Sequence, residues 1–490
     1  MFGNGLMLRN YSRRGIPHYP PHPILGSLTF LQRQNPSIWM RQLYKDFKAP
    51  YVGIWLFWRP GLVINSPEIT RRILVKDSEN FRNHFLSSGK TDPIGSLNLF
   101  TVNDPIWTSL RRRLTGVFTS AKLKMHSGIV RIKTNDLLER IRDETSKNNN
   151  IHLRKLLSDF TVDIIGESAF GIVSESVKTG NSVMKEIAQE FMNFGLHRGL
   201  SWSSIFFFPE LVDVFRFSFF PKHTIERLRL ICRSVINQRG GFDKKMKEPK
   251  DLLDALIKMK QEASEEGEEM SEDFLVAQAS IFLVGGFDTS ASTMSWVIYH
   301  LAWHPEHQQR LYDEIQNLKQ KYEGEDLSPS ALSELTYYNS VIKETLRHFP
   351  PMGWLDRVAT KDYQIDENLT IPAGTPVYLN AVGMQVDPQY FPDPMVFNPD
   401  RFLPENERNN TPFTFLPFGD GPRACIGMRF AFHVLRQALS SIIYNFEIRV
   451  VPDTPKPNEV EVEKKGTFFM PMDERMVVQF VPREHLQSSM

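Results

Sequence analysis

Cys425 lies in a glycine-rich run, residues 417–430, whose composition suits a metal-ligating thiolate. A cysteine stays deprotonated more easily when backbone N–H groups and the positive end of a helix dipole face its sulfur. The apolar spacing that begins at Ile426 predicts a helix starting beside the cysteine. Arg423 adds a positive charge close by, and Phe418 could screen the sulfur from water. The run therefore favours a thiolate ligand.

Other interpretations of Cys425 stay open while the residue is taken alone. A buried free cysteine is the commonest fate of a lone cysteine. A disulfide framework is disfavoured because the only other cysteine, Cys232, lies in a polar-flanked helical run. The sequence has no C-x-x-C and no clustered His/Cys spacing that would suit zinc. The remaining functional interpretation is a single-thiolate iron site, the axial ligation of an oxygen-activating haem.

The longest helical pattern contains a second unusual group of residues. Ser271 suits an N-cap, and helix-compatible residues continue to Trp303, where a His-Pro pair ends them. In the apolar middle, the glycines of Gly285-Gly286 cost about 1 kcal/mol each against alanine, and Asp288-Thr289 places an acid beside a hydroxyl. Such breaches of local rules are expected at functional sites. The glycines would make room over a flat cofactor while the acid and hydroxyl bracket a bound oxygen. Close helix packing and a solvent-facing acid are the alternative.

The cysteine run resembles the haem-binding signature of the cytochrome P450 superfamily, the haem-thiolate monooxygenases, through Phe418-x-x-Gly421-x-Arg423-x-Cys425-x-Gly427. Gly285-Gly286-x-Asp288-Thr289 resembles the oxygen-activation helix of that family. Glu344-x-x-Arg347 and the run 397–402 resemble two further family motifs. The sequences of residues 425–431 and 118–124 are most similar to those of the microsomal clan that holds vertebrate family three and the insect detoxification families six and nine. Within this clan an insect member is favoured. The resemblance covers almost the whole chain.

The resemblance implies a role for each matching residue. Cys425 would be the iron ligand of haem b, and Asp288 with Thr289 would deliver protons to bound O2. Residues implied to hold the haem are Trp107, Arg111, Gly285, Gly286, Arg357, Phe418, Arg423 and Gly427. Glu344, Arg347 and Arg401 would form a buried structural network. The implied substrate-lining residues are Phe100, Val102, Phe282, Met352, Phe468 and Phe469.

The implied reaction is insertion of one oxygen atom from O2 into a lipophilic organic substrate, either a xenobiotic or an endogenous lipid or hormone. Electrons would come from NADPH through a cytochrome reductase, with a cytochrome b-type donor as a second source. A haem-thiolate isomerase or dehydratase is an alternative, against which the acid–threonine pair argues. A non-catalytic haem carrier or sensor is another, and it would not need the irregular segment 285–289.

Length and composition agree with one large domain. The 490 residues are 41% hydrophobic and contain no Gly/Ser linker and no internal repeat. Helical patterns dominate up to Pro350, the polar stretch 261–269 is predicted to be a loop, and strand patterns occur at 363–365 and 375–379. We expect a mainly α fold with a small β-sheet, in which haem lies between the central helix, about residues 272–303, and the cysteine loop. Residues 1–23 would be a basic, proline-rich hinge and residues 24–490 the monooxygenase domain.

Charge and apolar runs bear on the partners. A net charge of +1 without a basic domain argues against nucleic acid. A local basic cluster could steer an acidic electron donor and consists of Arg111, Arg112, Arg113, Lys122, Lys124 and Arg429. Scattered solvated charges are the alternative. Microsomal relatives begin with a membrane anchor, but no run near the 18–20 apolar residues of a span precedes Arg13-Arg14. Either the anchor was removed or the protein lacks one. The aromatic runs 205–209 and 215–221 could contact a membrane or be core, and the expected location is the cytoplasmic face of the endoplasmic reticulum.

Overall fold

The computed structural model describes residues 11–483 except residues 13, 148 and 324–326. The prediction about the membrane anchor concerns residues 1–10, which lie outside the described residues, as does Arg13 of the basic pair. The described part of the predicted hinge packs on the body of the protein. The Tyr11 hydroxyl donates to the carbonyl of Gly61 at 2.9 Å, and the Gly53 N–H donates to the carbonyl of Pro17 at 2.8 Å.

Helices account for most of the described chain. In chain order the α-helices are α1 Pro36–Asp46, α2 Pro67–Arg71, α3 Pro93–Leu97, α4 Ile106–Thr115, α5 Ser120–Ser146, α6 Leu153–Phe170, α7 Ser176–Thr179, α8 Val183–Met192, α9 Leu196–Phe207, α10 Glu210–Phe215, α11 Lys222–Gln238, α12 Leu252–Glu265, α13 Glu272–Trp303, α14 Pro305–Lys321, α15 Pro329–Leu332, α16 Thr336–His348, α17 Ala381–Met384, α18 Pro404–Glu407 and α19 Met428–Asn445. Since α12 continues to Glu265, the first half of the predicted polar loop is helical instead.

Nine strands form three small sheets within the described residues. They are β1 Tyr51–Leu56, β2 Arg59–Ile64, β3 Ile151–His152, β4 Leu355–Val358, β5 Tyr363–Gln364, β6 Thr370–Ile371, β7 Pro376–Leu379, β8 Phe446–Val450 and β9 Val477–Pro482. The largest sheet has the order β1-β2-β7-β4, with β2 and β7 parallel and the other neighbours antiparallel. Strand β9 pairs with both β3 and β8, and β5 pairs with β6. The predicted mainly α fold with a small sheet is confirmed.

The central helix α13 has the predicted bounds. The Ser271 hydroxyl accepts the N–H of Phe274 at 3.2 Å and so caps the first turn. Most residues between Leu275 and Ala302 are buried, as expected of a helix that is apolar on all sides. It packs against α6, α3, α16 and α19. In the described part of the chain it is the one helix long and apolar enough to cross a membrane, and its burial marks it as a core helix.

The two aromatic runs divide between the core and the surface. Phe206 and Phe207 on α9 are fully buried, as are Phe219 and Phe220 after α10. Phe215, at the end of α10, is exposed. The run 205–209 is therefore mostly core, whereas only Phe219 and Phe220 of the run 215–221 are buried.

Candidate functional site

A cavity of about 360 Å³ lies inside the protein and is lined by residues from distant parts of the chain. Its wall includes Cys425 from the loop before α19, Gly285 and Thr289 from α13, Trp107 from α4 and Arg357 from β4. The fold thus gathers the separate sequence motifs around one space.

The loop before α19 holds Cys425 at the cavity wall. The Cys425 N–H donates to the carbonyl of Phe418 at 2.9 Å, closing the loop on itself. Gly421 has a φ of +71°, and a Cβ there would stand 1.9 Å from the carbonyl oxygen of Leu74, so only glycine fits. Burial raises the pKa of the Cys425 thiol, while the N–H groups of Gly427 and Met428 and the charge of Arg111 act in the opposite direction. These groups would stabilise a thiolate once a cation binds it.

The adjacent glycines of α13 have different surroundings. A Cβ on Gly285 would have no atom within 4 Å, although the residue lines the cavity. Gly286 also lines the cavity, but a Cβ on it would stand 2.2 Å from Cδ1 of Ile165 on α6. Gly285 therefore leaves space at the cavity, whereas Gly286 permits close helix packing. For Gly286, packing against α6 is the observed constraint.

The acid and the hydroxyl of α13 also have different surroundings. The Thr289 hydroxyl donates to the carbonyl of Gly285 at 2.7 Å, and Thr289 lines the cavity. Asp288 does not line it. The buried Asp288 carboxylate accepts hydrogen bonds from Arg154 at 2.9 and 3.1 Å. The acid is therefore held by a cation on α6, which the sequence did not reveal, and it is not open to solvent.

Three arginines and an indole form a cationic part of the wall. The guanidinium of Arg423 lies 4.0 Å from the ring centre of Trp107. Arg111 donates to the carbonyl of Ala424 at 2.8 Å, and Arg357 donates to a neighbouring carbonyl at 2.7 Å. Burial and the charge of Arg357 lower the pKa of Arg423 to about 9, and burial lowers that of Arg357 to about 10. Crowded, buried cations of this kind are stabilised by an anion.

A buried ion network lies behind the cavity. Arg347 donates to both carboxylate oxygens of Glu344, at 2.7 and 2.8 Å, and neither side chain is exposed. Arg401 approaches Glu344 to 3.5 Å, and the N–H of Asn398 donates to it at 2.9 Å. Although burial raises the pKa of Glu344, Arg347 and His348 lower it to about 2. The three predicted network residues therefore meet.

Comparisons with known proteins identify the family. The family model described as Cytochrome P450 matches residues 17–477. Cytochrome P450 6k1 of Blattella germanica is 33% identical over 471 residues, which cover 92% of this chain and 89% of the relative. Probable cytochrome P450 6g2 of Drosophila melanogaster is 32% identical, over 93% of this chain and 92% of the relative. This chain belongs to the cytochrome P450 family. It is a monooxygenase, and the insect assignment agrees with these relatives.

The cavity of this cytochrome P450 fits the haem that its family implies. Gly285 gives a wall free of side chain, as a flat macrocycle requires, and Cys425 supplies a thiol on the same cavity. The two carboxylates of haem need buried cations, and the crowded group of Arg111, Arg357 and Arg423 provides them. The charged end of the site is therefore built for an anion.

Four of the six predicted substrate-lining residues face the cavity of this P450, namely Phe100, Phe282, Met352 and Phe468. The other two do not. The carbonyl of Val102 accepts a hydrogen bond from Arg423 at 3.0 Å, so the residue supports the cationic wall from behind. Phe469 is buried beneath the guanidinium of Arg41, 5.0 Å from its ring centre.

Sequence reasoning missed two features of the P450 cavity. His84 lines it, with Nδ1 2.8 Å from the carboxylate of Asp356. Phe219 also lines it, from an aromatic run assigned only to membrane or core. No local pattern marks His84. Its neighbour Arg82 contacts Trp107, but that contact exists only in the fold.

Proposed function

We propose that this cytochrome P450 inserts oxygen into a neutral, lipophilic substrate, with Cys425 as the iron ligand and NADPH, through a reductase, as the electron source. The observation that carries this proposal is one cavity that joins Cys425 to the Gly285–Thr289 segment of α13. The haem would supply the activation of O2. The residues of the protein would hold the haem, orient the substrate and deliver protons to the bound oxygen.

Thr289 and Asp288 are the proposed proton-handling residues. The Thr289 hydroxyl lines the cavity and donates back to the helix, which leaves its lone pairs free to accept a proton-bearing group there. Asp288 is next to Thr289 in the chain and is buried in the protein, where its carboxylate pairs with Arg154. The two adjacent residues thus link the cavity to a buried acid.

A lipophilic substrate is favoured by the cavity lining. Most of the lining away from the arginines is apolar and includes the large side chains of Phe100, Phe219, Ile281, Phe282, Met352 and Phe468. The lining residues with charged side chains are Arg111, Asp356, Arg357 and Arg423, at the end proposed for the haem carboxylates. Shape and apolar contact, rather than ion pairing, would select the substrate. Xenobiotics and endogenous lipids or hormones both meet this requirement.

The electron donor would dock on the basic face near Cys425. Of the six predicted cations, Arg112, Lys124 and Arg429 are exposed. Arg111 instead lines the cavity, and Arg113 lies within 3.6 Å of Glu262 and 3.4 Å of Glu266. The three exposed cations, which we call the basic face, would attract an acidic reductase.

An apolar surface patch supports membrane association. Ile24, Trp58, Val214 and Phe215 are exposed. The segments that carry them are neighbours, because Gly26 bridges to Leu56 and Arg59 pairs with Glu210. Such a patch fits the proposed location on the cytoplasmic face of the endoplasmic reticulum, with residues 1–23 as a hinge before the enzymatic domain.

Two measurements test the proposal. The reduced, carbon-monoxide-bound protein should show the far-red-shifted Soret band of thiolate-ligated haem, and Cys425→Ser should lose it. Turnover of a lipophilic probe should require NADPH and reductase together. A red-shifted band that survives Cys425→Ser would overturn the ligand assignment. Turnover without an electron donor would favour isomerase chemistry, and a proper spectrum without turnover of any probe would favour a carrier.

A further inference from the structure

His84 and Asp356 form a buried hydrogen-bonded pair on the cationic wall of the cavity. The Nδ1 of His84 lies 2.8 Å from Oδ1 of Asp356, and both residues are buried. Because a carboxylate can only accept, Nδ1 carries the proton in this pair. That arrangement leaves Nε2 as the ring nitrogen for the cavity, which His84 lines.

The side chain of Asn103 links the backbone of His84 to Arg423. The N–H of His84 donates to the side-chain oxygen of Asn103 at 2.9 Å, and the Asn103 amide donates to the His84 carbonyl at 3.0 Å. Arg423 donates to the same Asn103 oxygen at 3.2 Å. His84 and Arg423 are therefore held side by side by one amide.

The other oxygen of Asp356 is held as firmly. It accepts the N–H groups of Phe85 and Leu86 at 2.7 and 3.1 Å. Although burial raises the pKa of Asp356, His84, Arg357 and the Leu86 N–H lower it to about 2, so the carboxylate stays charged at neutral pH. With neutral His84, the charge of Asp356 offsets part of the positive charge that Arg111, Arg357 and Arg423 give this wall. With protonated His84, the pair has no net charge.

We propose that His84 is a positioning residue for the carboxylates of the haem, and that its protonation makes haem retention depend on pH. When His84 is neutral, the negative charge of Asp356 repels the haem carboxylates. When His84 is protonated, its charge neutralises that of Asp356, and Nε2 offers a second N–H donor. This inference rests on the haem of the family and is independent of the substrate and the electron donor.

The charges that face His84 set the direction of the effect. Burial lowers the pKa of His84, Asp356 on β4 raises it, and Arg423 and Arg357 lower it. Bound haem carboxylates would raise it again. Haem therefore binds more tightly where the loaded protein keeps His84 protonated, and affinity falls as the pH rises through the pKa of the loaded state. A rise of one pKa unit on binding corresponds to about a tenfold change in affinity.

The test is haem transfer from the loaded enzyme to excess apomyoglobin, measured between about pH 6 and pH 8. In the wild type the transfer rate should rise about tenfold with pH. His84→Arg should transfer slowly at every pH, because its charge is permanent. His84→Gln should transfer rapidly at every pH. The midpoint potential of the wild-type haem should depend on pH over the same range, because protonation of His84 changes the charge beside the haem carboxylates. This dependence should be absent in both variants, which a merely structural role would not produce.

His126, a second histidine on the cavity wall, provides the matched control. Its burial also lowers its pKa, but no carboxylate lies within hydrogen-bond distance of its ring among the described contacts. His126→Gln should keep the wild-type slope. A wild-type slope that persists in His84→Gln, or a wild type without a slope, would overturn the proposal. Failure of the Cys425 assignment is distinguishable, since it would remove the red-shifted Soret band at every pH.

Discussion

The guanidinium of Arg154 donates two hydrogen bonds to the carboxylate of Asp288, at 2.9 and 3.1 Å. The pair joins the first turn of α6 to the middle of α13. Arg154 also donates to the carbonyl of Pro471 at 2.8 Å, which ties in the C-terminal region. The proposed proton-handling acid is thus held by Arg154, which is itself held by the C-terminal region.

Arg154→Met should lower the free energy of unfolding by about 3 kcal/mol, because it leaves the Asp288 carboxylate buried without a cation. Urea denaturation of the haem-loaded enzyme measures the change. Asp288→Asn in the same chain should restore most of the loss, since a neutral amide needs no cation. A double variant no more stable than Arg154→Met would show that the two residues do not act as a pair.

Asp288→Asn alone should slow NADPH-supported turnover by about 100-fold, the usual scale for a lost proton-transfer group. The solvent isotope effect should increase at the same time. The Soret band of the reduced, carbon-monoxide-bound form should not move, because Asp288 lies off the cavity wall. Unchanged turnover would remove Asp288 from the proposed proton path.

Gly286→Ala should lower the free energy of unfolding by about 1–3 kcal/mol, the common cost of overpacking a core. The clash is with Cδ1 of Ile165, 2.2 Å from the new Cβ. Combining it with Ile165→Ala should therefore cost less than the sum of the two single changes. Gly128→Ala on α5 is the matched control, since its Cβ meets no atom within 4 Å and alanine favours the helix. Equal losses in the two glycine variants would contradict the packing role of Gly286.

The sequence was most informative where the determining residues are local. The bounds of α13 follow from the Ser271 cap and the terminal His-Pro pair, so they could be predicted to the residue. Strands β1 and β2 were missed within a region assigned to helices. Residues 51–56 are all buried, so they lack the alternation that marks a half-exposed strand.

The sequence predicted which motif residues form the site, but it did not predict which residues pair with Asp288 and His84. Cys425, Gly285 and Thr289 occur in recognisable patterns and meet at the cavity. The partner of Asp288 is 134 positions away along the chain, and the partner of His84 is 272 positions away. Isolated residues separated so widely carry no spacing signal. Their pairing appears only once α6, β4 and the cavity wall are assembled.

The basic face should control association with the reductase. Charge reversal at Arg112, Lys124 and Arg429 should raise the reductase concentration needed for half-maximal turnover by about tenfold at low salt, and less at high salt. The haem spectrum should be unchanged. Lys361→Glu is the control, because this exposed lysine follows β4 and lies outside the basic face. A similar loss with Lys361→Glu would indicate an effect of net charge alone.

His300 is the buried histidine whose environment is least suited to a charge. Neither of its ring nitrogens has a hydrogen-bond partner among the described residues. Its ring stacks on Phe397, with centres 4.3 Å apart and planes 11° apart. Burial, followed by the charges of His348 and His304, lowers its pKa well below 6.5. Protonation therefore favours the unfolded chain, and this contribution to stability is lost as the pH falls below about 6.5.

His300→Phe should raise the free energy of unfolding by about 1–3 kcal/mol at neutral pH, because it removes two unsatisfied nitrogens and keeps the stack on Phe397. It should also weaken the loss of stability between about pH 7.5 and pH 5.5. Urea denaturation at both pH values measures the two effects. His223→Phe is the control, since the His223 side chain is 70% exposed. If His300→Phe were destabilising at neutral pH, or kept the wild-type acid dependence, then the ring nitrogens would be satisfied in the folded enzyme and another group would set its acid stability.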